Sequence, residues 1–164
     1  MKRALGRLRH AVRQIRARTH PHHFFSRSEQ RRIVAAIQHA ERETSGQIRV
    51  HVEGRCAGDA MARARQVFAA LGMQATARRN GALLYLAVRD RTFAVAGDEG
   101  IHAVVPRDFW ARVRDGMTED FRRARFCQGL CHGIGAIGAH LKIYFPAAGS
   151  QSNELPDEIS EGEE

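Results

Sequence analysis

Six oxygen-bearing side chains stand beside turns in this sequence, and their chemistry suits a hard cation. Asn80, Asp98, Glu99 and Asp108 form one candidate group, and Glu53 with Asp90 forms a second. Ca²⁺ and Mg²⁺ are bound by carboxylate and carbonyl oxygens, commonly supplied by loops. Asp90 lies at the turn of an expected hairpin, and Asp98 lies at its far end, beside Asn80-Gly81. At ~3.4 Å per residue these two ends are roughly 20 Å apart, so they cannot share one ion. Glu53 and Asp90 fall at the carboxyl ends of the strands, the usual ligand edge of an open α/β sheet. The first group offers more oxygens, and Arg79 and Arg107 beside it suit phosphate. The same acids also serve as caps of turns and of a helix, and both readings stand.

Other motifs carry less chemistry. Gly133-x-Gly135-x-x-Gly138 matches a dinucleotide fingerprint as text, but its glycines lie inside a helix-period pattern rather than between a strand and a helix. Close helix packing explains them better. Cys127 and Cys131 are four apart on one helix, which fits core thiols better than a zinc site. His20-Pro21-His22-His23 reads as a linker. No nucleophile with a partnered base can be picked out for hydrolysis.

The elements that position these residues follow from periodicity. Ser26 and Glu29 make a capping box for a helix over 27–44. Ile48, Val50 and Val52 alternate with Arg49, His51 and Glu53, as in a half-buried strand. Asp59 caps a second helix that ends at Gly72. Residues 82–88 carry no charge and suit a central strand buried on both faces. Residues 92–97 pair back on it as a hairpin. A third helix is marked by Phe109, Trp110, Val113, Met117 and Phe121, and a fourth by Phe126, Leu130, Ile134, Ile137 and Leu141. The order α-β-α-β-β-α-α predicts a three-layer α/β/α sandwich, with a small mixed sheet and helices on both faces.

The chain has 164 residues and a formal charge of +8, with 24 arginines against two lysines. The charge is uneven. Residues 1–18 hold seven cations and no acid, and residues 153–164 hold six acids and no cation. We therefore divide the chain into a flexible basic arm (1–24), an α/β domain (25–145) and a loose acidic tail (146–164). Residues 1–23 suit an anionic surface, either nucleic acid or membrane. No apolar run reaches a membrane span, and the N-terminus has no secretory apolar core. Three cysteines argue against a disulfide scaffold, and the expected compartment is the cytoplasm.

Together these segments resemble a family. Glu41 with Thr44-Ser45-Gly46 through Val50, V-F-A-A-L-G-M (67–73), R-N-G-A-L-L-Y-L-A-V-R-D-R (79–91), G-D-E-G-I (97–101), D-F-W (108–110) and the segment 144–160 are similar to the TPM-domain, or TPM phosphatase, family. The match runs over about residues 25–160, in the form of its short, soluble bacterial members. The resemblance implies an α/β/α sandwich, divalent-metal binding (notably Ca²⁺) and the acid phosphatase activity attributed to plant thylakoid members. The family's Gly-x-Gly-Leu-Glu-type pattern falls on Gly97–Ile101, which here reads G-D-E-G-I. Metal binding would then fall to Asp98 and Glu99. Three functions are expected in this order: a Ca²⁺- or Mg²⁺-binding domain with a regulatory or interaction role toward a protein or phosphorylated ligand, a metal-dependent acid phosphatase, and an anionic-surface binder.

Overall fold

The computed structural model describes residues 20–149 and 153–162. Most of the expected basic arm lies outside the described residues. Its last part is a helical turn, α1 (Pro21–Phe24), with Pro21 buried. The His-Pro-His-His stretch is thus the start of the folded domain rather than a linker. Helix α2 (Arg27–Glu41) opens on the expected capping box: Glu29 N–H donates to Ser26 Oγ at 3.2 Å, and Ser26 N–H to Glu29 Oε2 at 2.9 Å. It stops three residues short of the expected end. There Thr44 is drawn into a bridge with Pro146, and the Ser45 N–H donates to the Phe145 carbonyl at 2.8 Å.

Strand β1 (Gln47–Glu53) is followed by α3 (Ala60–Ala70), capped by Asp59 on Ala62 N–H at 2.8 Å. A 3-10 turn (Met73–Ala75) leads to β2 (Gly81–Ala87), which pairs parallel to β1. Strand β3 (Thr92–Gly97) returns antiparallel to β2. A short α4 (Glu99–His102), α5 (Phe109–Arg122) and α6 (Phe126–Tyr144) follow. The final β4 (Ser160–Glu161) pairs parallel to β1, giving the order β3-β2-β1-β4.

Alternation along the strands builds two cores. Ile48, Val50, Val52, Leu84, Leu86 and Val95 face α2, α5 and α6. Leu83, Tyr85, Ala87 and Ala94 face Ala64 and Val67 of α3 and Met73. All seven residues of β2 are buried, as an uncharged central strand requires. The chain is therefore the expected α/β/α sandwich. No helix among the described residues is long and apolar enough to cross a membrane.

Two expectations are corrected. Strand β1 is not half-exposed: Arg49, His51 and Glu53 are buried, with the returning C-terminal segment pairing along β1 and meeting His51 through Ser160, and Arg63 of α3 reaching over to Glu53. Nor is the described part of the tail loose. Gln47 Oε1 accepts from the backbone N–H of Glu154 (3.1 Å) and Leu155 (2.9 Å), Leu155 packs on the α3 core, and β4 closes the edge of β1. An open strand edge leaves backbone donors and acceptors that need partners, and this segment supplies them.

The glycines of α6 divide by what they face. A Cβ on Gly138 would lie 2.6 Å from Ala40 Cβ, so this residue sets how closely α6 approaches α2. A Cβ on Gly135 would meet nothing within 4 Å. Gly138→Ala should therefore destabilise by about 1–3 kcal/mol through overpacking. Gly135→Ala should stabilise by up to about 1 kcal/mol through helix propensity. Thermal unfolding of the two variants checks this, and equal shifts would contradict it.

Candidate functional site

The hairpin places Asn80, Asp98 and Glu99 on one edge, as the Asp98 N–H bond to the Gly81 carbonyl (2.9 Å) shows. Asp98 is buried at the start of α4, and its two oxygens accept from Arg79 Nε and Nη2, each at 2.9 Å. Asp98 Oδ1 also accepts from the Glu99 N–H at 2.8 Å. The exposed Glu99 carboxylate reaches the same guanidinium at 3.8 Å. The bond to Asp98 holds the Arg79 guanidinium above its ordinary range. Gly100 fastens the turn: its N–H donates to the Arg79 carbonyl at 2.9 Å. A Cβ there would lie 2.3 Å from the Arg78 carbonyl oxygen, so no larger residue fits.

The other two members of this group take other partners. Asn80 is fully buried and donates through Nδ2 to Ser45 Oγ at 3.2 Å, while its Oδ1 has no hydrogen-bond partner. Asp108 is exposed and pairs with Arg112 at 3.2 Å. Arg107 is exposed as well. Beside the Asp98 turn opens a cleft of about 490 Å³, lined by Arg65, Arg79, Asp98, Glu99, His102 and Trp110 among others. Trp110 Nε1–H donates to His102 Nδ1 at 3.1 Å.

At the opposite edge, Glu53 and Asp90 take different partners. Glu53 is 2% exposed and accepts from Arg63 Nε (2.8 Å), Arg63 Nη2 (2.7 Å) and the Tyr85 hydroxyl. Burial opposes its ionisation, but these donors outweigh burial and hold it below the usual carboxylate range. Asp90 Oδ2 accepts from the Cys56 N–H at 2.7 Å, and Oδ1 lies 3.5 Å from Arg55. No group of three or more metal-ligating His, Cys, Asp or Glu side chains assembles among the described residues.

Two polar networks escaped the sequence reading. In the first, the Ser160 hydroxyl donates to the Val50 carbonyl (3.2 Å) and stands 2.9 Å from His51 Nδ1. That network assigns the proton to Nδ1 and leaves Nε2 buried, unpartnered and 3.7 Å from Glu53 Oε2. Burial lowers the His51 pKa, and Glu53 offsets part of that. In the second, Glu41 Oε1 accepts from the Ile48 N–H at 2.6 Å, and its carboxyl also meets Asp157 of the tail. Burial, with Asp157 adding to it, pushes the Glu41 pKa up to about 8. Asn153 Nδ2 donates to Asp157 at 2.6 Å. Only the tail's return shows these partners; the one sequence signal was Glu41 within the family-like stretch.

The fold and this arrangement of segments define a TPM domain. A family model described as TPM domain matches residues 19–140, and the chain belongs to that family. Among solved structures it is similar to BA42 from the psychrophilic bacterium Bizionia argentinensis. The two share 44% identity over 85% of this chain and 96% of that one, with a TM-score of 0.80. The N-terminal domain of cg2496 from Corynebacterium glutamicum (16% identity, 80% of each chain, TM-score 0.58) shares the fold. So does the N-terminal domain of a protein from P. gingivalis (19% identity, 74% of this chain and 78% of that one, TM-score 0.61). No curated protein sequence matches the chain.

Two outcomes follow from the networks. The folded protein keeps on Glu41 a proton that the unfolded chain releases above about 4.5, so this residue makes stability fall from there to about pH 8 and level off above. Glu41→Gln retains an acceptor for Ile48 and gains a donor for Asp157. Its stability relative to wild type, from denaturant unfolding at pH 5 to 9, should rise over that window; a constant difference would contradict the assignment. Arg63→Met should cost about 3–5 kcal/mol, because it leaves a buried carboxylate without its counter-charge. Adding Glu53→Gln should restore part of the loss, and a double variant no more stable than Arg63→Met would argue against the pairing.

Proposed function

We propose that this TPM domain is a divalent-cation-responsive binding module in which Ca²⁺ or Mg²⁺ competes with Arg79 for Asp98 and Glu99. One observation supports the reading most: two carboxylates on a glycine-fastened turn already converge on a single cationic group. The donor chemistry fits a hard cation, since both side chains offer carboxylate oxygens. Two carboxylates are fewer than such an ion takes, so water or a ligand's own oxygens would complete the set and the affinity would be low. Asp108, paired with Arg112, and Asn80, fully buried with its Nδ2 on Ser45, are not donors in this reading.

Cation exchange at this turn would free the Arg79 guanidinium toward the neighbouring cleft, where Arg65 and His102 also stand. A phosphorylated or carboxylated partner seated there would then meet an added positive charge. This is the regulatory role we assign to the site. An acid phosphatase would draw on the same carboxylates, and no observation favours it. Among the thiols, Cys127 is pushed up to about 11 by burial and donates to the Glu29 carbonyl, which removes it as a nucleophile at neutral pH. The reading as an anionic-surface binder rests on residues 1–23, most of which lie outside the described residues.

Arg79 has φ +50°, a backbone setting that glycine adopts without strain. Arg79→Gly should therefore fold and remove the internal competitor, and calorimetric Ca²⁺ titration should show binding about tenfold tighter than wild type. Asp98→Asn should abolish it. Affinity unchanged in both variants would overturn the reading.

A further inference from the structure

A second cleft, of about 600 Å³, lies at the opposite edge of the sheet, beyond the carboxyl end of β2. It sits between the β2–β3 turn, the α5–α6 turn and α1, and belongs to no site described above. Its floor is a row of aromatic rings in contact. Phe93 meets Phe121 at 4.8 Å, Phe121 meets Phe126 at 5.3 Å, and Phe126 meets Phe24 at 5.1 Å. All four are only partly buried, so each ring keeps apolar surface that the fold does not cover. A concave apolar surface of this volume is the size that holds a drug-sized ligand. An apolar patch with a polar rim marks such grooves.

The rim has one sign. Arg89, Arg91 and Arg122 line the cleft, and no acidic residue does. Arg89 is hydrogen-bonded to His20 Nδ1 at 3.3 Å. Arg91 and Arg122 are exposed and pair with no carboxylate among the described residues. Elsewhere arginines do have acids: Arg63 with Glu53, Arg79 with Asp98, Arg125 with Asp120. The shape calls for an apolar body and the rim for an anionic head. The chain's own N-terminal segment has the wrong sign to supply that head, because residues 1–18 hold seven cations and no acid.

We propose that this cleft binds a small anionic amphiphile as a free molecule: an aliphatic or aromatic body on the phenylalanine row, with a carboxylate or phosphate-ester head met by Arg91 and Arg122. Guanidinium groups are well matched to both heads, since each presents paired oxygens to the planar fork. The assignment is independent of any cation at the Asp98 turn.

The test is calorimetric titration of the full chain with decanoate and with decyl phosphate below their micellar concentrations. Decyltrimethylammonium and decanol serve as controls. The anionic probes should bind, decanol about tenfold more weakly, and the cationic probe undetectably. Arg91→Glu/Arg122→Glu, both at exposed positions, should fold as wild type by circular dichroism and weaken decanoate at least about tenfold. Binding of decanoate but not decyl phosphate, or the reverse, would name the head group within the proposal. Several results would overturn it: equal affinity for decanol and decanoate, indifference to the double charge reversal, or no binding of either anion in the full chain. Binding of anionic phosphatidylglycerol vesicles without monomeric decanoate would overturn it in favour of a membrane surface.

Discussion

Strand β2 is enclosed on both faces and both sides: α2, α5 and α6 cover one face, α3 covers the other, and β1 and β3 flank it. A strand in that position has no exit for a charged side chain, since an unpaired ion in such a core costs several kcal/mol. Gly81–Ala87 accordingly offers one side-chain polar atom, the Tyr85 hydroxyl, and that atom is spent on Glu53. The acidic groups are displaced to the strand ends. The two clefts and both acidic groups therefore stand at opposite edges of the sheet, and neither edge can share a ligand with the other.

The same enclosure explains the buried polar row on β1. Next to the central strand, β1 buries Arg49, His51 and Glu53: Ser160 of the returning chain reaches His51, Arg63 of α3 reaches Glu53, and the free side of β1 is closed at Ser160–Glu161. Glu53 survives burial because Arg63 and Tyr85 satisfy it. Glu41 survives as a protonated carboxyl, because burial disfavours its charge and it meets Asp157 rather than a cation. The acidic C-terminal segment is thus part of the domain's hydrogen-bonding economy, with Gln47 accepting from its backbone at Glu154 and Leu155.

Most of the architecture was legible in the sequence, for physical reasons. Strong periods such as Phe126-Leu130-Ile134-Ile137-Leu141 and the uncharged run after Asn80-Gly81 report the core directly. The capping box at Ser26 and the cap at Asp59 report helix starts through local bonds. Long-range partners left no such trace. An acidic, turn-rich tail and a disordered one look alike as text, so β4 and its contacts were missed, and β1 was read as half-exposed for the same reason. Of the candidate acids, spacing correctly separated Asp98 from Asp90. It could not show that Arg79 had already taken Asp98, or that Arg63 had taken Glu53, because arginine reach across elements is not written in local sequence.

The central functional claim is that the Asp98–Glu99 turn is a cation position held by the chain's own guanidinium. Its most direct test is a crystal structure of the wild-type protein soaked in Mn²⁺, read by anomalous scattering. The account predicts a peak between the Asp98 and Glu99 carboxylates, with the Arg79 side chain displaced from them. A peak at Glu53 and Asp90, or an Arg79–Asp98 pair intact at saturating Mn²⁺, would contradict it.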